Sequence, residues 1–111
     1  MRSKSVAEVK ASLDTLGPVL PGSISKQWNV CGKPGCKCKD PDRPQRHGPY
    51  YQLSFTVAGR SSTMFLKPEE LAEARRCLRR YRRFKDLNAQ LVIAYVAQAR
   101  RRGVASLTEA D

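Results

Sequence analysis

Apolar residues near the start of the chain recur at the spacing of an α-helix. They make one stripe over residues 5–16, formed by Val6, Val9, Leu13 and Leu16. Ser5 and Glu8 fit a capping box, in which the hydroxyl accepts from the glutamate amide and the glutamate reaches back. Gly17-Pro18 then stops the helix. The pattern therefore predicts a short N-terminal helix.

The middle of the chain alternates between apolar and polar positions, as β-strands do. Residues 50–57 put Tyr51, Leu53, Phe55 and Val57 on one face of a predicted strand. Ala58-Gly59 predicts a tight turn, and residues 60–66 return as a second strand. Residues 23–30 alternate only in part and predict a further strand before them. Together these segments predict an antiparallel sheet of about three strands.

The last third of the sequence predicts one long helix. Pro68 suits its first position, and the glutamates just after it suit the positive end of the helix dipole. The pattern continues to Gly103, which gives a helix of about 35 residues, roughly 50 Å long at a rise of about 1.5 Å per residue. A break in the helix near residues 86–88 is the alternative. Residues 103–111 predict a disordered tail.

Charge narrows the range of functions for this chain. Its 111 residues carry a net charge of +11, and such a basic chain is expected to meet a polyanion, most often nucleic acid. The first residues predict no secretory signal, and the longest apolar run, residues 91–97, falls far short of the ~20 residues that span a bilayer. We therefore expect no membrane association and a cytoplasmic location, where clustered thiols favour a metal site over disulfides.

Three thiols and the only imidazole fall within seventeen positions and match the ligand set of a structural zinc site. These residues are Cys31, Cys36, Cys38 and His47. Glycines 32 and 35 permit the tight turn between the first two thiols. Cys77 is expected in the core of the long helix and is the alternative fourth ligand. An iron–sulfur cluster and three ordinary reduced cysteines are the other interpretations. A catalytic zinc is disfavoured because no spare ligand set is present.

Six arginines cover one half of the long helix and predict contacts with phosphates. They are Arg75, Arg76, Arg79, Arg80, Arg82 and Arg83. No acid lies within residues 75–85, so repulsion between these charges favours an anionic partner over a plain solvated face, although an acidic protein is an alternative. Arg60, Lys33 and Lys37 complete the predicted nucleic-acid-binding set, and we expect DNA rather than RNA.

Beyond residue 87 the pattern of the long helix changes, and residues 91–97 are apolar on every side. Either the helix bends back on the domain, for example against residues 5–16, or it meets another chain. The second case predicts a homodimer or a larger protein partner through residues 88–102, with four contact residues: Leu91, Val92, Tyr95 and Val96.

The predicted fold class is thus α+β, in four segments. Residues 1–21 form the N-terminal helix, residues 22–87 a zinc-clasped β-hairpin and helix domain, residues 88–102 a helical extension for interaction, and residues 103–111 the tail. The metal loop would lock the first strand to the hairpin, so that the helix can present its arginine face.

Residues 22–87 contain four short motifs: Cys-Gly-Lys-Pro-Gly-Cys-Lys-Cys at residues 31–38, His-Gly-Pro-Tyr-Tyr at 47–51, Pro-Glu-Glu at 68–70 and Arg-Arg-Tyr-Arg-Arg-Phe at 79–84. In these motifs the segment resembles an uncharacterised bacterial domain family. Genes of this family often lie near transposases, and the resemblance implies no reaction. The hairpin and helix are also similar to the three-stranded DNA-binding modules of phage integrases, which lay a sheet in the major groove. That likeness implies base contacts by Gln52, Ser54 and Thr56, with Arg60 in the turn.

Two functional hypotheses follow from the sequence. The first is a nucleic-acid-binding module with a structural zinc and no chemistry of its own. The second is an adaptor that docks on a larger nucleoprotein machine, such as a recombinase or an RNA-guided nuclease. An enzyme is the least expected class, because the only histidine is expected to be structural and the glutamates after Pro68 are explained by their place at a helix start.

Overall fold

The protein is an α+β structure, as the sequence predicts. A computed structural model describes residues 4–29 and 31–108. Its main elements are helix α1 (Val6–Asp14), strands β1 (Ser23–Asn29), β2 (His47–Val57) and β3 (Arg60–Leu66), and helix α2 (Leu71–Arg102). The chain divides into two compact units: Leu20–Leu78 forms one, and the chain up to Val19 together with the chain from Arg79 onward forms the other.

The first unit contains a three-stranded antiparallel sheet with β2 in the centre. The hairpin between β2 and β3 closes with a Val57–Arg60 pair around a two-residue turn. Ala58 and Gly59 in that turn both have positive φ, 53° and 77°, which is the backbone of the turn that best follows the twist of paired strands. The predicted hairpin is therefore confirmed.

One face of this sheet is covered by the first two turns of α2. Leu53 in the central strand is completely buried and packs with Leu66 and Ala74. Partly buried apolar residues surround this cluster, namely Leu20, Ile24, Tyr51, Phe55, Leu71 and Leu78. Val57 follows the same alternation as Leu53 but is exposed, since it lies at the turn end of β2. Burial is therefore greatest at the centre of the sheet.

Gly22 directly precedes β1, at a point where the chain lies very close to β2. Its φ is +100°, and a Cβ there would lie 2.0 Å from the carbonyl oxygen of Ser54. Both the backbone conformation and the space require glycine at this position.

In the second unit, α1 begins with the predicted cap. The Glu8 amide donates to Ser5 Oγ at 3.2 Å, and the Ser5 hydroxyl donates to the Glu8 carboxylate at 3.3 Å. Val9 is the buried residue of this helix. Lys10 Nζ lies 5.8 Å from the centre of the Tyr95 ring, so α1 lies beside the end of α2. Part of the apolar segment therefore lies beside residues 5–16, although α2 itself does not bend back.

Helix α2 runs without a break for 32 residues, about 48 Å at about 1.5 Å per residue. A short 3-10 turn, Pro68–Glu70, precedes it, and the Lys67 amide donates to the Glu70 carboxylate there. Within the predicted tail, Val104–Leu107 forms another 3-10 turn, and the Gln98 side-chain Nε2 donates to the Ser106 backbone carbonyl at 3.2 Å. Residues 1–3 and 109–111, at the ends of the predicted first and last segments, lie outside the described residues. Among the described residues, no helix has both the length and the apolar character needed to cross a membrane.

Candidate metal centre and basic helix

The metal loop, residues 31–46, connects β1 to β2 and contains the three cysteines. It starts and ends at the same end of the β1–β2 pair. Asn29 pairs with His47 across the two strands, next to an irregularity after Gln27. Between them the loop is held by its own backbone: the Lys39 amide donates to Cys36 O, and the Gln45 amide to Lys37 O, both at 2.9 Å. The loop therefore brings the three cysteines that precede His47 back to it.

Four ligand atoms converge inside this loop. The three sulfurs of Cys31, Cys36 and Cys38 and a ring nitrogen of His47 all lie within 4.8 Å of one another. The Cys31 and Cys38 sulfurs are 3.5 Å apart, and the Cys36 sulfur is 3.2 Å from His47 Nε2. Around a tetrahedral ion with metal–sulfur bonds of about 2.3 Å, ligand atoms lie about 3.7 Å apart. The spacing and the chemistry of the four atoms therefore fit a metal ion.

The thiols of the loop differ in acidity. The pKa of Cys36 is lowered from 9.0 to about 6, first by a hydrogen bond from the Cys38 backbone and then by the side chains of Cys31, Cys38 and His47. Cys38 is buried, and that burial raises its pKa. Since metals bind the thiolate, Cys36 is the ligand already prepared for binding near neutral pH.

The low pKa of Cys36 gives a prediction for metal-free, reduced protein kept cold enough to stay folded. The rate at which iodoacetamide alkylates Cys36 should rise through a midpoint near pH 6, because the reactive thiolate forms there. Peptide mass spectrometry across pH 5–9 measures this rate. In urea the midpoint should move up to about 9.0, the ordinary pKa of the thiol. An unchanged midpoint in urea would contradict the assignment.

Cys77 lies outside the four-residue cluster. It is buried on α2, and its thiol donates to the Glu73 carboxylate at 3.8 Å. Its place in the core is as expected, and among the described residues the structure brings His47, not Cys77, to the three loop thiols.

The six arginines predicted to contact phosphates, which lie in the first half of α2, fall into two groups. Arg76 pairs with Glu73 at 2.6 Å, Arg83 lies 3.8 Å from Asp86, and Arg80 donates to the Pro18 carbonyl at 3.2 Å. The sequence analysis missed the two ion pairs because it considered only residues 75–85. Glu73 and Asp86 lie just outside that range, each three positions from its arginine along the helix. Three arginines, namely Arg75, Arg79 and Arg82, are exposed and form no ion pair with any described residue.

These three unpaired arginines form a stripe along α2. Their spacings of four and three place them within about 60° of the helix circumference and over about 10 Å of its length. We call them the arginine stripe. Arg100, Arg101 and Arg102 form a second exposed basic group in the last turn.

The remaining predicted basic residues lie elsewhere. Lys33 and Lys37 are exposed in the metal loop. Arg60 is paired with Val57, so strand alternation puts it on the face of Leu53. The face of Gln52, Ser54 and Thr56 is the opposite one, and Arg60 does not share it.

An apolar surface remains open near the end of α2. Val92, Ile93 and Val96 are 61%, 58% and 44% exposed. With Ala97, Arg100 and Arg101 they line a shallow groove of about 430 Å³. The predicted contact set therefore divides: Val92 and Val96 are exposed, Leu91 and Tyr95 are partly buried, and Ile93 was missed by the sequence analysis.

The fold and the cluster define a class of small α+β proteins with a possible Cys3His metal site in the loop before a β-hairpin. The model of one protein family, described as Domain of unknown function (DUF6788), matches residues 3–76. The chain belongs to this family, which confirms the expected uncharacterised domain family. The match spans α1, the metal loop, the sheet and the start of α2. No curated protein and no solved structure matches the chain.

Proposed function

We propose that the protein is a nucleic-acid-binding module that is stapled by zinc and has no chemistry of its own. The arginine stripe carries this proposal. Three exposed guanidinium groups on one helix face, without acidic partners among the described residues, are costly in a chain of net charge +11 unless an anion neutralises them. Regularly spaced phosphates are the ligand that such a row suits best.

Zinc is the metal that the donor set favours. Three thiolates and an imidazole form a standard tetrahedral zinc site, whereas magnesium and calcium take oxygen ligands. The four side chains would fill all four positions, which leaves none open for a substrate water. The zinc is therefore proposed as a structural clasp that ties the end of β1 to the start of β2.

DNA in a cytoplasmic setting is the proposed target. The family resemblance implies neighbourhood to transposase genes, and a mobile-element context would expose the protein to DNA. RNA is the alternative polyanion with the same phosphate chemistry.

The test is binding of zinc-loaded protein to a labelled 20-base-pair DNA duplex at 50 and 200 mM salt. If the arginine stripe neutralises three phosphates, the affinity should fall roughly 40-fold or more over this range. A parallel titration with an RNA duplex distinguishes the two nucleic acids. An affinity that does not respond to salt would remove the proposal.

The groove of Val92, Ile93 and Val96 favours a second candidate function, an adaptor that uses this surface. A homodimer, or docking on a recombinase or an RNA-guided nuclease, would cover it.

Charges placed in that groove should separate the second function from the first. We expect Val92→Asp with Val96→Asp to abolish a dimer in light scattering while DNA affinity stays within about threefold, because the groove is mainly apolar. Ala89→Asp, an exposed site on the same helix, is the matched control. A wild-type monomer at 100 µM would rule out the homodimer.

A further inference from the structure

The outer face of the sheet carries two exposed aromatic rings. Register places Ser25, Gln52 and Phe65 in one row across the three strands, and Gln27 and Tyr50 in the next row. Alternation sets these residues on the face opposite to buried Leu53. Phe65 is 71% exposed and Tyr50 is 42% exposed. Rings this open to water on a sheet face are available for a partner.

The rest of this outer face is polar but uncharged. In the paired strands as described, its remaining positions are serines, threonines and glutamines. Gln27 donates to the Gln52 side-chain oxygen at 3.0 Å, and the Thr56 and Ser61 hydroxyls are 2.8 Å apart. A shallow groove of about 600 Å³ continues along the face, and hydroxyl side chains of Ser54, Thr56, Ser61 and Thr63 are among its lining. The surface thus offers two rings within a field of hydrogen-bonding groups.

This composition suits unpaired nucleobases better than a protein. A protein interface needs a contiguous apolar centre, which two rings among hydroxyls do not make. Bases that lie outside a duplex expose flat aromatic faces for stacking and polar edges for hydrogen bonds. The surrounding unit, Leu20–Leu78, contains ten Lys and Arg against five Asp and Glu, so its charge complements a phosphate backbone.

The two rings are also spaced for this purpose. Phe65 is paired with Gln52, two positions from Tyr50, so the rings are diagonal neighbours on adjacent strands. Such neighbours lie about 7–8 Å apart, which lets each ring stack on its own base. We propose that this face binds single-stranded nucleic acid, with one unpaired base on Phe65, one on Tyr50, and the hydroxyl groove along the strand. The proposal rests on the proposed function and names its substrate class.

Replacement of Phe65 tests the proposal. Phe65→Ala should weaken binding of a labelled 12-nucleotide single strand by roughly 5- to 150-fold, since stacking on one ring contributes that much. Binding of the duplex of the same sequence should stay within about twofold. Phe65→Tyr should retain single-strand binding, and Phe65→Leu should not, because leucine is apolar but has no aromatic face. Tyr50→Ala should act in the same direction as Phe65→Ala.

Met64→Ala is the matched control. Met64 is also exposed on β3, at 44%, but alternation places it on the opposite face. Titrations with DNA and RNA single strands decide which of the two supplies the bases.

Several results would overturn the inference. These are an equal loss of duplex and single-strand binding in Phe65→Ala, no loss in either, or the same loss in Met64→Ala. Wild-type protein that binds duplex but no single strand would overturn it and leave the proposed function standing. Protein that binds neither form would remove both.

Discussion

Cys38→Ser should lower the melting temperature of the zinc-loaded protein by roughly 15–30 °C. A metal present at a thousand times its dissociation constant stabilises the folded state by about 4 kcal/mol, and about 1 kcal/mol moves the melting temperature of a small domain by 4–8 °C. Cys38 is the buried member of the cluster, and its sulfur lies 3.5 Å from that of Cys31. Serine keeps the size of the side chain but loses the thiolate, so the loss reports on the metal.

Circular dichroism and metal analysis of the same samples measure this effect. Wild-type protein should contain one zinc, lose it to a chelator, and then melt close to the Cys38→Ser variant. The variant itself should not respond to the chelator. Trp28, the only tryptophan, lies half-exposed next to the loop, so its emission should change when the metal leaves.

Cys77→Ser provides the control with the same substitution. Cys77 is also buried but lies outside the cluster, so this variant should keep its zinc and its chelator response. Fresh, reduced wild-type protein without metal would contradict the zinc assignment. A Cys38→Ser protein that still binds one equivalent of zinc would also contradict it.

The regular elements could be predicted because each has a local signal. Ser5 and Glu8 cap α1, and Ala58-Gly59 forms the hairpin turn. The helical sequence pattern that begins after Pro68 continues through α2 without a break. In each case the residues that determine the element lie within a few positions of one another. Local signals of this kind are independent of the rest of the fold.

Side-chain partners across the fold could not be predicted in the same way. Met64, Phe65 and Leu66 are three consecutive apolar residues, so the sequence does not tell which face of β3 is buried. The register with β2 decides it: Leu66 pairs with Tyr51 on the core face, which leaves Phe65 on the outer face. Exposure of Phe65 is therefore a property of the strand pairing.

The metal site could be predicted only in part from the sequence. The closeness of three cysteines and one histidine in sequence was enough to predict a common site. Sequence spacing left the fourth ligand open between His47 and Cys77. The choice depends on the β1–β2 pairing, which sets His47 opposite Asn29 at the mouth of the loop.

Replacing the arginine stripe should weaken DNA binding roughly 100-fold or more at 100 mM salt. The variant is Arg75→Gln with Arg79→Gln and Arg82→Gln. Each lost phosphate contact should reduce the magnitude of the slope of log affinity against log salt by about 0.9. The slope of the triple variant should therefore be smaller in magnitude by about 2.7. Glutamine is a good helix former, so α2 should remain intact, and circular dichroism checks this.

The matched control removes three positive charges from exposed positions in the metal loop, by Lys39→Gln with Arg43→Gln and Arg46→Gln. If the stripe binds phosphates directly, this control should reduce the salt slope by less than one. Arg76→Gln should also have a small effect, because Glu73 already neutralises that guanidinium at 2.6 Å. Equal losses in both triple variants would instead show that binding follows net charge alone, and the helix face would then have no special part in it.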